Sequence, residues 1–178
     1  MQDEETLLRQ LRDKSTREKA FTRLMYTHQE QLYWAIRRIV LTHENADDVL
    51  QNVFAKAWQG IDDFRGDSKL GTWLYRIALN EAINYSKRMH EDSALEDADE
   101  VVKNLSADPY FDGDDVQLRL QDAIAMLPEK QRLVFNLRYF DEMNYNDMSR
   151  LLDTSVGALK ASYHHAVRKI IAFFRKED

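Results

Sequence analysis

The sequence predicts an all-α protein of two small helical domains, an N-terminal helical bundle and a C-terminal helix-turn-helix, joined by an acidic flexible linker. Three observations carry that prediction. Only 5 Gly and 2 Pro occur in 178 residues, and no valine- or threonine-rich alternating run is present, so no segment has the period of a strand. Apolar residues recur at helical spacing on both sides of a central stretch. That stretch, residues 89–116, holds 1 Lys+Arg against 10 Asp+Glu, whereas residues 1–88 hold 14 against 13 and residues 117–178 hold 10 against 8. The formal net charge of −6 therefore belongs to the middle of the chain. It does not count against nucleic-acid binding by the flanks, where phosphate contacts would have to come from.

Taken in order, Leu7, Leu8 and Leu11 repeat at helical spacing, followed by Phe21, Leu24 and Met25, then Leu32, Ile36, Ile39 and Val40, then Val49, Leu50, Val53, Phe54 and Ala57. These groups predict four amphipathic helices packed as a bundle around residues 3–60. The loop Gly60–Asp67 comes next. Gly66 gives it a residue free to adopt backbone angles closed to others, and Asp67 or Ser68 is placed to cap the following helix. At about 100° per residue, Lys69, Thr72, Trp73, Arg76, Asn80, Asn84 and Lys87 fall within an arc of roughly 120° on that helix. A cationic, aromatic, amide-bearing face suits single-stranded nucleic acid, with Phe64 and Arg65 adding a stacking surface and a phosphate contact. An ordinary solvated face with Trp73 partly buried fits the same residues, and Ile83, also in the arc, fits it better.

Residues 1–88 are thus expected to form one domain, 89–116 a linker and 117–178 a second domain. The linker contains Pro109 and Gly113 and lacks a sustained apolar period, as expected of a chain that self-repels and extends. A solvated tether and a mimic of nucleic-acid charge lying in a basic channel of a partner both fit its composition. Beyond it, Pro128 opens a helix that buries Leu133, Val134, Leu137 and Tyr139-Phe140. A second helix starts after Asn144 with Asp147 in a capping-box-like position, and buries Met148, Leu151 and Leu152. After the short turn Asp153-Thr154-Ser155, a longer helix from about Val156 to Phe174 places Leu159, Tyr163, Ala166, Val167, Ile170 and Phe174 on one side. Lys160, Ala161, His164, His165 and Arg168 lie on the other. This geometry inserts into a major groove, with Lys160 and the histidines at base edges and Arg168 at phosphate; a helical hairpin that binds nothing has the same pattern.

Several classes are disfavoured. There is no Cys, so neither a disulfide frame nor a thiolate metal site is expected. His164 and His165 point about 100° apart on a helix, and no metal or cofactor is expected. The pairs Asp47-Asp48 and Asp62-Asp63 stand beside no His, Lys or Ser arranged for acid–base or two-metal chemistry, so an enzyme is not expected. No apolar run reaches 18 residues and the start, MQDEETLLRQ, is too acidic for a secretion signal; a soluble, cytoplasmic protein is expected.

Four segments together resemble the extracytoplasmic-function (ECF) sigma factors, the two-domain branch of the sigma-70 family. They are Asp47–Trp58 (DDVLQNVFAKAW), Phe64–Asn80 (FRGDSKLGTWLYRIALN), Leu127–Arg132 (LPEKQR), and Val156–Lys160 (VGALK) with His165–Lys169 (HAVRK). The resemblance spans nearly the whole chain in the family's order. It implies a factor that binds core RNA polymerase and directs it to promoters. Asp47, Asp48, Val49, Gln51 and Phe54 match the region that docks on the β′ clamp. Phe64, Arg65, Gly66, Asp67, Ser68, Lys69, Trp73, Arg76, Asn80, Asn84 and Lys87 match the reader of the melted minus-10 element, with the loop and Asn80 capturing a flipped base. Residues 128–174 match the domain that packs on the β flap and reads the minus-35 duplex, with Lys160, Ala161, His164, His165 and Arg168 on promoter DNA. The resemblance also implies an anti-sigma partner and a linker threaded toward the active-site cleft. Asn52 stands where the family usually has an acid, and Ala158, Ser162 and Val167 replace residues that are commonly Thr, Arg and Arg. Fewer cations there imply weak duplex binding without polymerase. A helix-turn-helix regulator acting without polymerase would explain residues 145–168 alone, and a nucleic-acid-processing enzyme would explain only the basic, aromatic groove.

Overall fold

The computed structural model describes residues 2–40, 42–92 and 115–175, and among them the regular structure is helical throughout. The chain divides into two compact units, Met1–Asp92 and Ser93–Asp178. The stretch 93–114, which holds most of the expected linker, lies outside the described residues.

The described residues of the first unit form four α-helices and a 3-10 turn. Helix α1, Gln2–Arg12, buries Leu11 completely and Leu7 and Leu8 in part. Its end is tied by local polar groups. Asp13 Oδ1 accepts from Ser15 N and Oγ at 2.9 and 2.8 Å, while Thr16 Oγ1 donates to Gln10 O and Arg17 Nε to Leu11 O at 2.9 and 2.7 Å. Those two donors satisfy carbonyls that a helix C-terminus leaves open. Helix α2 runs unbroken from Arg17 to Val40. The expectation of four helices over residues 3–60 is therefore corrected to three, because Thr27-His28-Gln29-Glu30 supplies no Gly or Pro to divide the Phe21 group from the Leu32 group. Helix α3, His43–Gly60, is opened by Thr42, whose hydroxyl accepts from Asn45 N at 3.2 Å. It passes into the 3-10 turn Ile61–Asp63 and then the loop that leads to α4, Leu70–Asp92. Helices α2, α3 and α4 pack on one another around Leu24, Leu32, Ile36, Val53, Leu74 and Leu79, each at most 1% exposed. Helix α4 continues past the expected boundary at residue 88, since residues 89–92 contain neither Gly nor Pro.

Among its described residues the second unit has four helices: α5, Asp115–Ala125; α6, Glu129–Tyr139; α7, Tyr145–Leu152; and α8, Val156–Arg175. Pro128 stands at the cap of α6, one position before its expected place. Asn144 caps α7 as its sequence indicates: Oδ1 accepts from Asp147 N at 2.9 Å and Nδ2 donates to Asp147 Oδ2 at 2.6 Å. Asp153 then turns the chain in the left-handed region at φ 48°, a conformation that Asp tolerates better than most residues. The core gathers Ala123, Ile124, Leu127, Phe135, Ala166 and Ile170, with Tyr163, Val167 and Phe174 packed against it. The Phe135 ring stacks with Tyr139 and with Tyr163 at centroid separations of 5.2 and 5.8 Å, and Tyr139, expected on the buried side of its helix, is 52% exposed. Arg132, 9% exposed, donates from Nη1 to Ala125 O at 3.3 Å. Burial pushes its pKa down from the ordinary range, and Glu129 offsets part of that effect.

Candidate nucleic-acid interface

The loop between Ile61 and Leu70 is held by side chains from the start of the chain. Arg17 pairs with Asp62, and Arg12 Nη2 donates to Phe64 O at 2.9 Å. Leu70 N, the first N–H of α4, donates to Glu4 Oε1 at 2.6 Å. That carboxylate takes the place expected of Asp67 or Ser68, and the Ser68 hydroxyl instead donates to Lys69 O at 3.4 Å. Between the anchors, Arg65, Gly66, Asp67 and Lys69 are exposed and Ser68 is half-buried. Gly66 sits at φ 81° with open space around its Cα, so any side chain there would strain the turn.

Helix α4 carries the loop's exposed surface onward. Thr72, Arg76, Asn80, Asn84 and Lys87 are exposed, while Leu74, Ala78, Leu79, Ala82 and Ile83 are buried on the opposite side. Ile83 belongs to the core rather than to the exposed face. Phe64 is also corrected: at 6% exposure it is buried, tilted against Trp73 at a ring separation of 5.2 Å. Its apolar ring is worth more under the loop than in water, so it supports the loop instead of presenting a stacking surface. Trp73 is half-buried on it. Gly71 lies against α2, where a Cβ would meet His28 Cε1 at 2.8 Å. Burial lowers the pKa of His28, and the nearby Glu4 carboxylate partly restores it.

On α3, Asp48, Gln51, Asn52 and Ala55 form an exposed row, with Asp47 half-exposed beside it. Val49 and Phe54, also expected on a docking surface, are 1% and 8% exposed. They fall on the helix's core side, where Phe54 meets Phe21 edge-on at 6.5 Å, and they support the row from beneath. Asp47 Oδ2 lies 3.3 Å from His43 Nε2, whose Nδ1 is 2.7 Å from the Tyr33 hydroxyl. His43 and Asp47 are i,i+4 neighbours on one helix, whereas Tyr33 reaches His43 only through the α2–α3 packing, which the sequence does not show.

In the second unit, Lys160, Ala161, His164, His165 and Arg168 are all exposed on α8, with Gly157 and Ala158 before them. Ser162 and Val167 are half-buried. The Tyr145 ring at the start of α7 lies under two cations, Arg138 Cζ at 5.4 Å and Lys160 Nζ at 5.7 Å from its centroid. Those contacts steady Lys160 at the exposed face.

Two families match this chain, Sigma-70 region 2 over residues 24–90 and Sigma-70 region 4 over residues 117–170. The RNA polymerase sigma-H factor of Pseudomonas aeruginosa is 31% identical over 159 residues, covering 83% of this chain and 82% of that protein. The ECF RNA polymerase sigma-E factor of Escherichia coli strain K12 is 29% identical over 160 residues, covering 84% and 83%. The chain belongs to the ECF branch of the sigma-70 family. It is a transcription initiation sigma factor, and no catalytic family is indicated. Two solved structures share this sigma factor's fold. CnrH in complex with the cytosolic domain of CnrY has a TM-score of 0.62 at 24% identity, covering 98% of this chain and 99% of that one. The sigma factor RpoE in complex with the anti-sigma factor NepR, from Bartonella quintana, has a TM-score of 0.67 at 20% identity, covering 88% and 98%. The region 2 match spans the sigma factor's exposed rows on α3 and α4 and the loop between them, whereas α1 lies outside it. No helix among the described residues is long and apolar enough to cross a membrane.

Proposed function

We propose that this sigma factor binds core RNA polymerase from the cytoplasm and carries it to promoters, with the β′ clamp on Asp47, Asp48 and Gln51. The minus-10 element is read as melted strand by Arg65–Lys69 together with Arg76, Asn80, Asn84 and Lys87. Trp73 and Phe64 support that surface from below. The minus-35 duplex is read by Lys160, Ala161, His164, His165 and Arg168, in a domain that also meets the β flap. The observation that carries this reading is the continuous exposed row from Arg65 along α4 to Lys87, cationic and amide-bearing and free of catalytic pairs. Such a surface contributes binding energy rather than chemistry. Holding a flipped base in a protein pocket offsets an unstacking cost of about a few kcal/mol per step, which favours melting where the sequence fits.

An anti-sigma protein is the second expected partner. The complex of the Bartonella RpoE with the anti-sigma factor NepR supports it, and it would compete with polymerase for the same rows. Residues 93–114, acidic in sequence, fit a segment threaded toward the polymerase cleft. Run-off transcription with purified bacterial core polymerase on fragments of the source genome tests the function. Starts at defined positions that require both the polymerase and this chain are expected. Site-specific footprints of the chain alone, with no polymerase-dependent start, would favour a regulator acting without polymerase and overturn the reading.

A further inference from the structure

From the side chains that hold residues 61–70, we infer that α1 is a brace that presets the minus-10 reading loop, with Glu4 and Arg12 as its positioning residues. The inference rests on the reading of Arg65–Lys69 and Asn80 as minus-10 contacts. Two bonds bracket the loop from one helix. Arg12 Nη2 holds the carbonyl of Phe64 where the loop begins, and Glu4 Oε1 holds the N–H of Leu70 where it ends. A third side chain fixes the brace to the bundle: Arg17 pairs with Asp62, donates from Nε to Leu11 O, and lies over the Trp58 ring with Cζ at 5.7 Å. Helix α1 packs on α2 and on the 3-10 turn through its apolar side, so its polar groups face the loop from a fixed base.

The arrangement separates holding from reading. Both anchors take backbone atoms at the loop's ends, which leaves the side chains of Arg65, Asp67 and Lys69 exposed and Gly66 in open space. A loop fixed at both ends has less conformational freedom to lose when it closes on a base, and the binding energy otherwise spent on ordering it goes into capture. The Glu4 carboxylate also sits at the N-terminus of α4, where the helix dipole favours negative charge. The partners are separated by 52 and 66 residues in sequence, and α1 lies before the residues matched by the region 2 family.

The test uses the full chain and its holoenzyme with purified core polymerase, carrying Glu4→Leu, Glu4→Gln, Arg12→Met or Asn80→Ala. The probe is a single-stranded oligonucleotide selected from a random pool on the unmodified holoenzyme. Glu4→Leu and Arg12→Met are expected to weaken oligonucleotide retention about tenfold, the scale of one lost charge-assisted bond. They should also speed hydrogen exchange across residues 64–72 and leave core affinity unchanged. Glu4→Gln keeps an acceptor for Leu70 N and should retain most of the binding. Unchanged retention in Glu4→Leu and Arg12→Met, alongside a loss in Asn80→Ala, would overturn the brace while leaving the minus-10 reading intact. A fall in core affinity or melting temperature that matches the loss of retention would also overturn it. If Asn80→Ala binds as tightly as the unmodified protein, the minus-10 reading itself fails.

Discussion

Gly71→Ala tests the packing that aims the α4 face, and the sign of its effect should depend on His28. Gly71 is the second residue of α4, and a Cβ there would lie 2.8 Å from Cε1 of His28 on α2, closer than carbon atoms approach without displacement. The half-buried His28 ring must turn its tip aside, at the lower end of the overpacking cost, about 1.5 kcal/mol. Replacing Gly by Ala in a helix returns about 1 kcal/mol at most, and less in a first turn. The net expected effect is a loss of about 1 kcal/mol with His28 in place. In a His28→Ala background the obstacle is gone and the same substitution should stabilise by about 0.5 kcal/mol, a coupling of about 1.5 kcal/mol. All three tryptophans, Trp34, Trp58 and Trp73, lie in the first unit, so their fluorescence during urea unfolding follows that unit. With a urea slope of about 2 kcal/mol per molar, the midpoint should fall by about 0.5 M in the first background and rise by about 0.25 M in the second. Equal shifts of one sign in both backgrounds would refute the contact.

Four further outcomes are expected. Burial holds the His28 pKa below the ordinary 6.5, so on acidification the unfolded chain takes up the proton before the folded one. The stability of the first unit should therefore be full above about pH 6.5 and fall as pH drops below it, with a smaller fall in His28→Gln, read from the tryptophan-detected midpoint. Asn144→Ala removes the acceptor for Asp147 N and should cost about 1 kcal/mol, seen as a lower melting temperature by circular dichroism. Asp48→Lys reverses the charge of an exposed residue on the docking row and should weaken co-purification with core polymerase without lowering the melting temperature; unchanged co-purification would count against that surface. Asn80→Ala should reduce open-complex formation on a cognate promoter, followed by permanganate reactivity of melted thymines, while core affinity holds.

Much of the fold was legible because helices announce themselves locally. The apolar spacing from Leu159 to Phe174 gives α8 its buried side, and Asn144 with Asp147 marks the start of α7, since each signal lies within a few residues of the element it describes. Where no residue forbids continuation, boundaries slipped: Thr27–Glu30 let two apolar groups share α2, and residues 89–92 let α4 run on. The exposed candidates were mostly readable, because a polar residue on a helix's outer face needs no partner to stay there. Asn80, Arg76, Asp48, Gln51, Lys160 and Arg168 all lie on such faces.

Phe64, Val49 and Phe54 show the other side of the division. Each sits inside a recognisable motif, yet whether an apolar side chain faces water or a neighbouring helix depends on what packs above it, and all three are buried. The partners of the loop were equally out of reach. Glu4 and Arg12 read in sequence as ordinary polar residues of an amphipathic helix, and only the docking of α1 on α2 and the 3-10 turn brings them to Leu70 N and Phe64 O. By itself the sequence determined the all-helical class, the helix-turn-helix with its outward-facing basic residues, and the family. The tertiary structure decided which motif residues meet the solvent and which hold others in place, because burial and long-range hydrogen bonds are set by the packing of segments far apart in the chain.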